Sequence, residues 1–269
     1  MIIIPIFRYN NIELFYINEG VGEPLVLLSG IGDKMGWTFQ LPFFKEKMKV
    51  ITHHNRGTGR SSRPNYSYTI EMFLEDIRQL LEFLNIKEKI HLCGYSMGGI
   101  IAQYYVLKYP ETVKTLILCA TTSVPPGTGL KSIIEFHELI ENYDLDQKVK
   151  SYIAVTYLRP FKKRLRTDNE LYEKIRKIVV EDPTTLQDFK NQAAAIKNHD
   201  TRDSLHKILQ PTLILVGEKD MALLESSRKL HEKIPNSKLE IIQNSSHHFV
   251  VEESEKVNNL IWEFIKENL

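Results

Sequence analysis

Residues Ile90-His91-Leu92-Cys93 form a short apolar run, and Ile100-Ile101-Ala102-Gln103-Tyr104-Tyr105-Val106-Leu107 continue with helical character. Only Gly94-Tyr95-Ser96-Met97-Gly98-Gly99 lies between them. A chain passing from strand to helix in so few residues must turn sharply, and this turn carries a serine. Such a turn lifts a hydroxyl out of the sheet on a strained backbone and exposes it at the strand's C-terminal end. Gly94 and Gly98 flank the serine because side chains there would collide as strand and helix close together. The helix also aims its first amides, and a partial positive charge, at any anion forming beside the hydroxyl. Ser96 is the candidate nucleophile.

The rest of the chain places that turn in a larger pattern. Residues 2–8 and 12–17 read as strands joined at Asn10-Asn11, a pair suited to the positive φ angles of a tight hairpin turn. Residues 24–30 form a continuous apolar strand of the kind buried on both faces of a parallel sheet. A further strand over 50–54 ends at Asn55-Arg56-Gly57-Thr58-Gly59-Arg60-Ser61. The spacing of Met72, Phe73, Ile77, Leu80, Leu81 and Leu84 predicts a helix over 70–84 with one apolar face. The serine strand and its helix follow, stopped by Pro110, and residues 113–119 make the next strand.

The alternation then breaks. From about 125 to 199 the pattern is helical and strand-free, with helices predicted over 132–141, 145–158, 169–180 and 184–198, punctuated by Pro125-Pro126-Gly127, Pro160 and Pro183. It resumes with a strand over 211–217, a helix over 226–234, a strand over 239–242 and an amphipathic helix over 255–266. Strands alternating with helices imply a mostly parallel sheet covered on both faces. Residues 1–124 and 200–269 are read as that core, and 125–199 as a helical cap, or lid, folded over the sheet's C-terminal edge.

Composition removes several function classes. The 269 residues are 42% hydrophobic and 26% charged, with a formal net charge of +1. That balance gives no field to hold nucleic acid or an anionic membrane surface. The densest basic cluster, Lys162-Lys163-Arg164-Leu165-Arg166, reads as a solvated helix face or loop, with attraction of an acidic substrate as the alternative. Cys93 and Cys119 each end an apolar run and read as reduced core residues. No apolar run is long enough to span a bilayer, and the N-terminus shows neither a basic start nor a small-residue cleavage site. A cytoplasmic protein is the expectation.

At this point the chain resembles the α/β-hydrolase family, from about Ile12 to the C-terminus. The likeness rests, in order, on Leu25-Val26-Leu27-Leu28-Ser29-Gly30, on Asn55-Arg56-Gly57-Thr58-Gly59-Arg60-Ser61-Ser62, on the serine turn, on residues 211–220 and on residues 247–253. It implies an eight-stranded, mostly parallel sheet with helices on both faces and an inserted helical cap. A serine hydroxyl needs a base, and the base needs a group to orient it. In this fold the order is Ser, acid, His. Asp220, ending Gly217-Glu218-Lys219-Asp220 after a buried strand, stands where the family places its carboxylate; a helix cap is the alternative reading, and Glu218 reads as a surface residue. His247 follows the strand over 239–242 in a loop at the same edge. The run Phe249-Val250-Val251-Glu252-Glu253-Ser254-Glu255 resembles the family's segment after its catalytic histidine and selects His247 over His248 among nine histidines. The resemblance supplies two backbone donors for an oxyanion, the N–H groups of Ile31 and Met97.

Two positions depart from the family pattern. Many members have His-Gly where this chain has Ser29-Gly30, and serine is too short to brace that loop as histidine does. His54 stands where related sequences carry Asp before Asn55-Arg56-Gly57. Paired His53-His54 as a metal site finds no further ligands at suitable spacing, so neither a metal nor a cofactor is expected.

The chemistry implied is acyl transfer to water through an acyl-enzyme. Gly30, Trp37, Tyr95, Phe136, Tyr157 and His248 are the expected substrate contacts, with Tyr143, Tyr152, Phe161 and Phe189 as further aromatics of the lid. These favour small to medium apolar acyl or alcohol groups. A carboxylesterase is the first reading. A lactonase resembling the 3-oxoadipate enol-lactonase branch is the second, because residues 29–62 look like that branch. Carbon–carbon bond hydrolases, aminopeptidases and perhydrolases share the triad, and a non-catalytic ligand receptor on the same scaffold is a reading from another class. The expected partner is a small-molecule ester or lactone, and the expected state a monomer or homodimer.

Overall fold

The computed structural model describes residues 5–32, 37–181 and 183–269. The strands are β1 (Ile6–Tyr9), β2 (Ile12–Glu19), β3 (Pro24–Leu28), β4 (Lys49–His53), β5 (Ile90–Tyr95), β6 (Val113–Cys119), β7 (Thr212–Gly217) and β8 (Ser237–Ile242). They form one eight-stranded sheet in the order β1-β2-β4-β3-β5-β6-β7-β8. β2 runs antiparallel to both β1 and β4, and every other pairing is parallel. The β1–β2 turn places Asn10 at φ 42° and Asn11 at φ 62°, as that pair of asparagines allows. The first residues of the expected strand over 2–8 lie outside the described residues.

The helices are α1 (Leu41–Phe44), α2 (Ile70–Phe83), α3 (Met97–Lys108), α4 (Gly127–Ile140), α5 (Leu145–Thr156), α6 (Arg159–Thr167), α7 (Asn169–Val180), α8 (Leu186–Ile196), α9 (Met221–Lys233), α10 (Phe249–Glu252) and α11 (Ser254–Lys266). The central strands β3, β5 and β7 are buried along their whole length. Their side chains therefore divide between two apolar layers. Val26, Leu28 and Leu92 meet Ile77 and Leu80 of α2 and Ile100 and Ile101 of α3 on one face. Leu25, Leu27 and Cys93 meet Phe44 of α1 and Val257 and Ile261 of α11 on the other. Cys93 and Cys119 are free and buried, and burial together with the neighbouring Cys119 thiol pushes the Cys93 thiol well above its ordinary pKa. Both behave as small apolar residues. Among the described residues no helix is long and apolar enough to cross a membrane.

Several boundaries differ from the sequence expectation. Among the described residues the insert between β6 and β7 holds five α-helices, one more than expected, because α6 begins at Arg159 and takes Pro160 into its first turn. A proline there gives up only an N–H that has no partner in the helix anyway. The basic cluster falls on α6, where Phe161 and Leu165 are buried and the charges cover the other face. Finally, α4 begins at Gly127 and α9 at Met221, each five residues before the expected start.

α8 is joined to the core both by polar contacts and by packing. Its Thr185-Leu186-Gln187-Asp188 start forms a capping box, and the Asp188 carboxylate also takes Arg63 at 3.0 Å. Ala193 and Ile196 of α8 enter the same apolar layer as α2 and α3.

Candidate active site

β5 ends in the serine turn, and Ser96 sits there at φ 53°, ψ −116°, a conformation costly for any residue with a side chain. Neighbouring strands hold it. The Ser96 amide donates to the Cys119 carbonyl at 2.9 Å, and Thr121 Oγ1 donates to the Ser96 carbonyl at 2.9 Å. A Cβ on Gly98 would strike the Leu28 and Ser29 backbone, and one on Gly94 would strike Gly98, so strand, helix and the loop after β3 close to backbone contact here.

Ser96, Asp220 and His247 meet at this edge. His247 Nε2 lies 3.2 Å from Ser96 Oγ, and His247 Nδ1 lies 2.7 Å from Asp220 Oδ2. Asp220 occupies the N-cap position of α9 but makes no side-chain cap bond; its carboxylate is turned to the imidazole instead. The loops carrying Asp220 and His247 are stitched together. Lys219 N–H donates to the Ser245 carbonyl at 2.9 Å, and Asn244 N–H donates to the Glu218 carboxylate at 3.1 Å. Glu218, expected on the surface, therefore joins the two loops, and the Asn244 amide with Lys219 holds its carboxyl below the usual range.

The loop after β3 passes directly beside the serine, where a Cβ on Gly30 would lie 3.3 Å from the Ser96 Cβ. Neither the Ile31 N–H nor the Met97 N–H has a hydrogen-bond partner among the described residues. Among the described residues no hydrogen bond of the Ser29 hydroxyl braces this loop. The loop is framed from outside. Asn55 Nδ2 donates to the Ser29 carbonyl at 3.2 Å, Gly32 N–H donates to Gln192 Oε1 at 2.7 Å, and Thr184 Oγ1 donates to the Gly32 carbonyl at 3.0 Å. Asn55 belongs to a segment that is itself locked. Arg56 forms a buried two-pronged pair with Asp76 at 2.7 and 2.8 Å, joined by the Tyr9 hydroxyl. His54 Nδ1 accepts the Arg60 N–H at 3.1 Å and its ring lies against Phe15. His53 is buried, and burial lowers its pKa. Among the described residues no three His, Cys, Asp or Glu side chains group as a metal site would require.

The expected substrate contacts divide. Tyr95 lies against His247 with ring centroids 5.2 Å apart, and its hydroxyl is 3.0 Å from His248 Nδ1. Trp37 packs edge-on to Tyr95, and Tyr157 faces His248 at 5.8 Å and Phe161 at 4.7 Å. Burial, with His247 beside it, holds His248 well below its ordinary pKa, so it stays neutral at pH 7. Phe136, by contrast, packs on its helix neighbour His137 at 5.4 Å, and His137 stacks on Phe189.

Sequence reasoning missed Glu252 and Gln192. The Glu252 carboxylate accepts Ser246 N–H at 2.8 Å, Ser246 Oγ at 2.9 Å and Leu158 N–H at 2.7 Å, joining the loop before His247 to the start of α6. Arg164 of the basic cluster donates to the Glu252 carbonyl at 3.2 Å. Their polar side chains fall in otherwise ordinary helical stretches, and nothing in the spacing marks either as buried.

The family model for the alpha/beta hydrolase fold matches residues 23–254. The chain belongs to the α/β-hydrolase family. Within it, the chain is similar to a proline iminopeptidase of Saccharolobus solfataricus, 30% identical over 97% of this chain and 90% of that protein. Among solved structures, an enol-lactonase from Burkholderia xenovorans LB400 superposes with a TM-score of 0.83 at 21% identity, covering 97% of this chain and 100% of the other. A thermophilic esterase from Thermogutta terrifontis gives 0.81 at 27%, covering 95% and 94%. α/β-hydrolases with this architecture thus carry several activities, and the residues at this chain's own edge must discriminate among them.

Proposed function

We propose that this α/β-hydrolase is a serine hydrolase cleaving carboxylic esters with small to medium acyl or alcohol groups. The observation that carries the reading is the relay Ser96 Oγ–His247 Nε2 at 3.2 Å and His247 Nδ1–Asp220 Oδ2 at 2.7 Å. Ser96 Oγ attacks the ester carbonyl carbon while His247 Nε2 takes its proton. Asp220 keeps the proton on Nδ1 and stabilises the imidazolium. The developing oxyanion is received by the N–H groups of Ile31 and Met97, each donor being worth roughly 2.7–4 kcal/mol. Collapse breaks the carbon–oxygen bond, and His247 returns the proton to the departing alcohol. Water, deprotonated by His247, then attacks the acyl-enzyme, releasing the acid and restoring Ser96. Helices α4–α8 act as the cap, and Trp37, Tyr95, Tyr157 and His248 line the substrate side with mostly apolar surface.

The iminopeptidase relative favours a second reading, hydrolysis of an N-terminal proline amide. That substrate needs a carboxylate for its ammonium group. The carboxylates described at this edge are committed: Asp220 to His247, Glu252 to Ser246 and Leu158, and Glu218 to Asn244. The esterase reading is therefore preferred. A comparison of kcat/KM tests it, using p-nitrophenyl esters from acetate to decanoate, an anionic enol-lactone and proline p-nitroanilide. Short to medium esters are expected to lead. A tenfold preference for the lactone or for the proline amide would replace this reading with the corresponding one.

A further inference from the structure

We propose that Gln192, on cap helix α8, is a positioning residue that sets the oxyanion loop, so that the cap builds part of the catalytic geometry as well as covering it. The inference rests on the serine-hydrolase reading above and goes beyond it.

The Gln192 side chain is fully buried, with 0% of its surface exposed. Both ends of its amide are used. Oε1 accepts the Gly32 N–H at 2.7 Å, and Nε2 donates to the Arg56 carbonyl at 2.7 Å. One side chain thus spans from the residue after Ile31 to the backbone of a segment anchored by the buried Arg56–Asp76 pair. A second bond closes the clamp, from Thr184 Oγ1 to the Gly32 carbonyl at 3.0 Å. Gly32 has φ +64°, and any Cβ on it would run into the Phe189 ring of α8. Both polar groups of one glycine peptide position are therefore held by α8 and the residue just before its cap, and its face is packed by the same helix.

The neighbouring peptide matters because the Ile31 N–H has no partner among the described residues and directly precedes Gly32. Its direction is fixed from the core side by Asn55 on the Ser29 carbonyl and from the cap side by Gln192 and Thr184 on Gly32. Among the described residues, removing the cap-side bonds leaves the Asn55 bond to the Ser29 carbonyl as the side-chain tie to this loop. An oxyanion donor displaced by a fraction of an ångström loses most in the transition state, where the charge is, and little in the ground state.

The test compares wild type with Gln192→Met, which keeps the length of the side chain and removes both hydrogen bonds, and with Thr184→Val, which removes one bond at a less buried position. Each is measured for kcat and KM on p-nitrophenyl butyrate, for the affinity of butylboronic acid as a tetrahedral adduct former, and for its urea midpoint. Gln192→Met is expected to lower kcat by about 10–100-fold and boronate affinity by a similar factor, with KM within about threefold. Thr184→Val is expected to move both in the same direction by about 3–10-fold, and it carries the test alone if Gln192→Met fails to fold. Folded variants with unchanged kcat and boronate affinity overturn the proposal. So does a rise in KM alone, or a fall in kcat with boronate affinity intact. Wild type that cannot be labelled by a fluorophosphonate at Ser96 marks failure of the hydrolase reading instead.

Discussion

The Glu252 carboxylate accepts the backbone amide of Ser246 at 2.8 Å, one residue before His247, and is itself only 4% exposed. The same carboxylate takes the amide of Leu158 where α5 gives way to α6. One buried side chain therefore spans the loop bearing the proposed base and the inserted helices. Glu252→Ala should displace the imidazole and lower kcat by about 10–100-fold, since a shift near 1 Å at a catalytic group has that effect. Steady-state kinetics beside a circular-dichroism check of the fold will measure it. Activity within twofold of wild type would remove Glu252 from the account.

The two adjacent histidines should behave very differently. His247 bridges Ser96 and Asp220, whereas His248 turns to the Tyr95 hydroxyl. His247→Ala should lower kcat by about 10⁴-fold or more. His248→Ala should cost on the order of tenfold or less, through the aromatic cluster it leaves unfilled. Parallel kcat measurements decide, and equal losses would undo the assignment of the base.

Acid should weaken the fold through the inserted helices. Burial holds His137, stacked on Phe189, down at about 4 against an ordinary 6.5. Above pH 6.5 the imidazole is neutral folded or unfolded, and there is no effect. Between 6.5 and 4 only the unfolded chain takes the proton, so stability is lost as the pH falls. At pH 4.5 this one group should cost on the order of 2 kcal/mol. His53, His91, His199 and His248 act in the same direction, each lowered chiefly by burial. Urea titrations at pH 7 and 4.5 should show a smaller acid loss for His137→Leu than for wild type. An identical acid loss in both would contradict the prediction.

Breaking the pair under the Asn55–Ser62 segment should be costly. Arg56 and Asp76 are both buried and bonded at two points. Asp76→Ala leaves a buried guanidinium without its charge partner, which typically costs about 3–5 kcal/mol. The urea midpoint measures it, and a loss below about 1 kcal/mol would show the pair to be dispensable.

The sheet and the Ser96–Asp220–His247 constellation were legible because each is written in local signals. Apolar runs of strand length, a serine between glycines, and an aspartate and a histidine just past strand ends all sit within a few residues of sequence. The contacts that tie insert to core were not legible, because they are set by partners 94 to 160 residues away, as Leu158 is from Glu252 and Gly32 from Gln192. A glutamine among Lys190, Asn191 and Ala193 has the pattern of a solvated helix face, and only the fold shows it buried. Pro160 misled for a local reason: read as a break, it lies in the first turn of α6, where proline is tolerated. The sequence draws attention to Ser29, but the residues that frame its loop, Asn55, Thr184 and Gln192, lie outside the Ser29-Gly30 motif.

The central claim, that Ser96 is the reacting alcohol, is tested most directly by a fluorophosphonate followed by proteolysis and mass spectrometry. One phosphonyl group per chain is expected, carried by the peptide that contains Ser96, with none in a folded Ser96→Ala variant. Label on a different residue of the wild type, or turnover of p-nitrophenyl butyrate that survives Ser96→Ala, would contradict it.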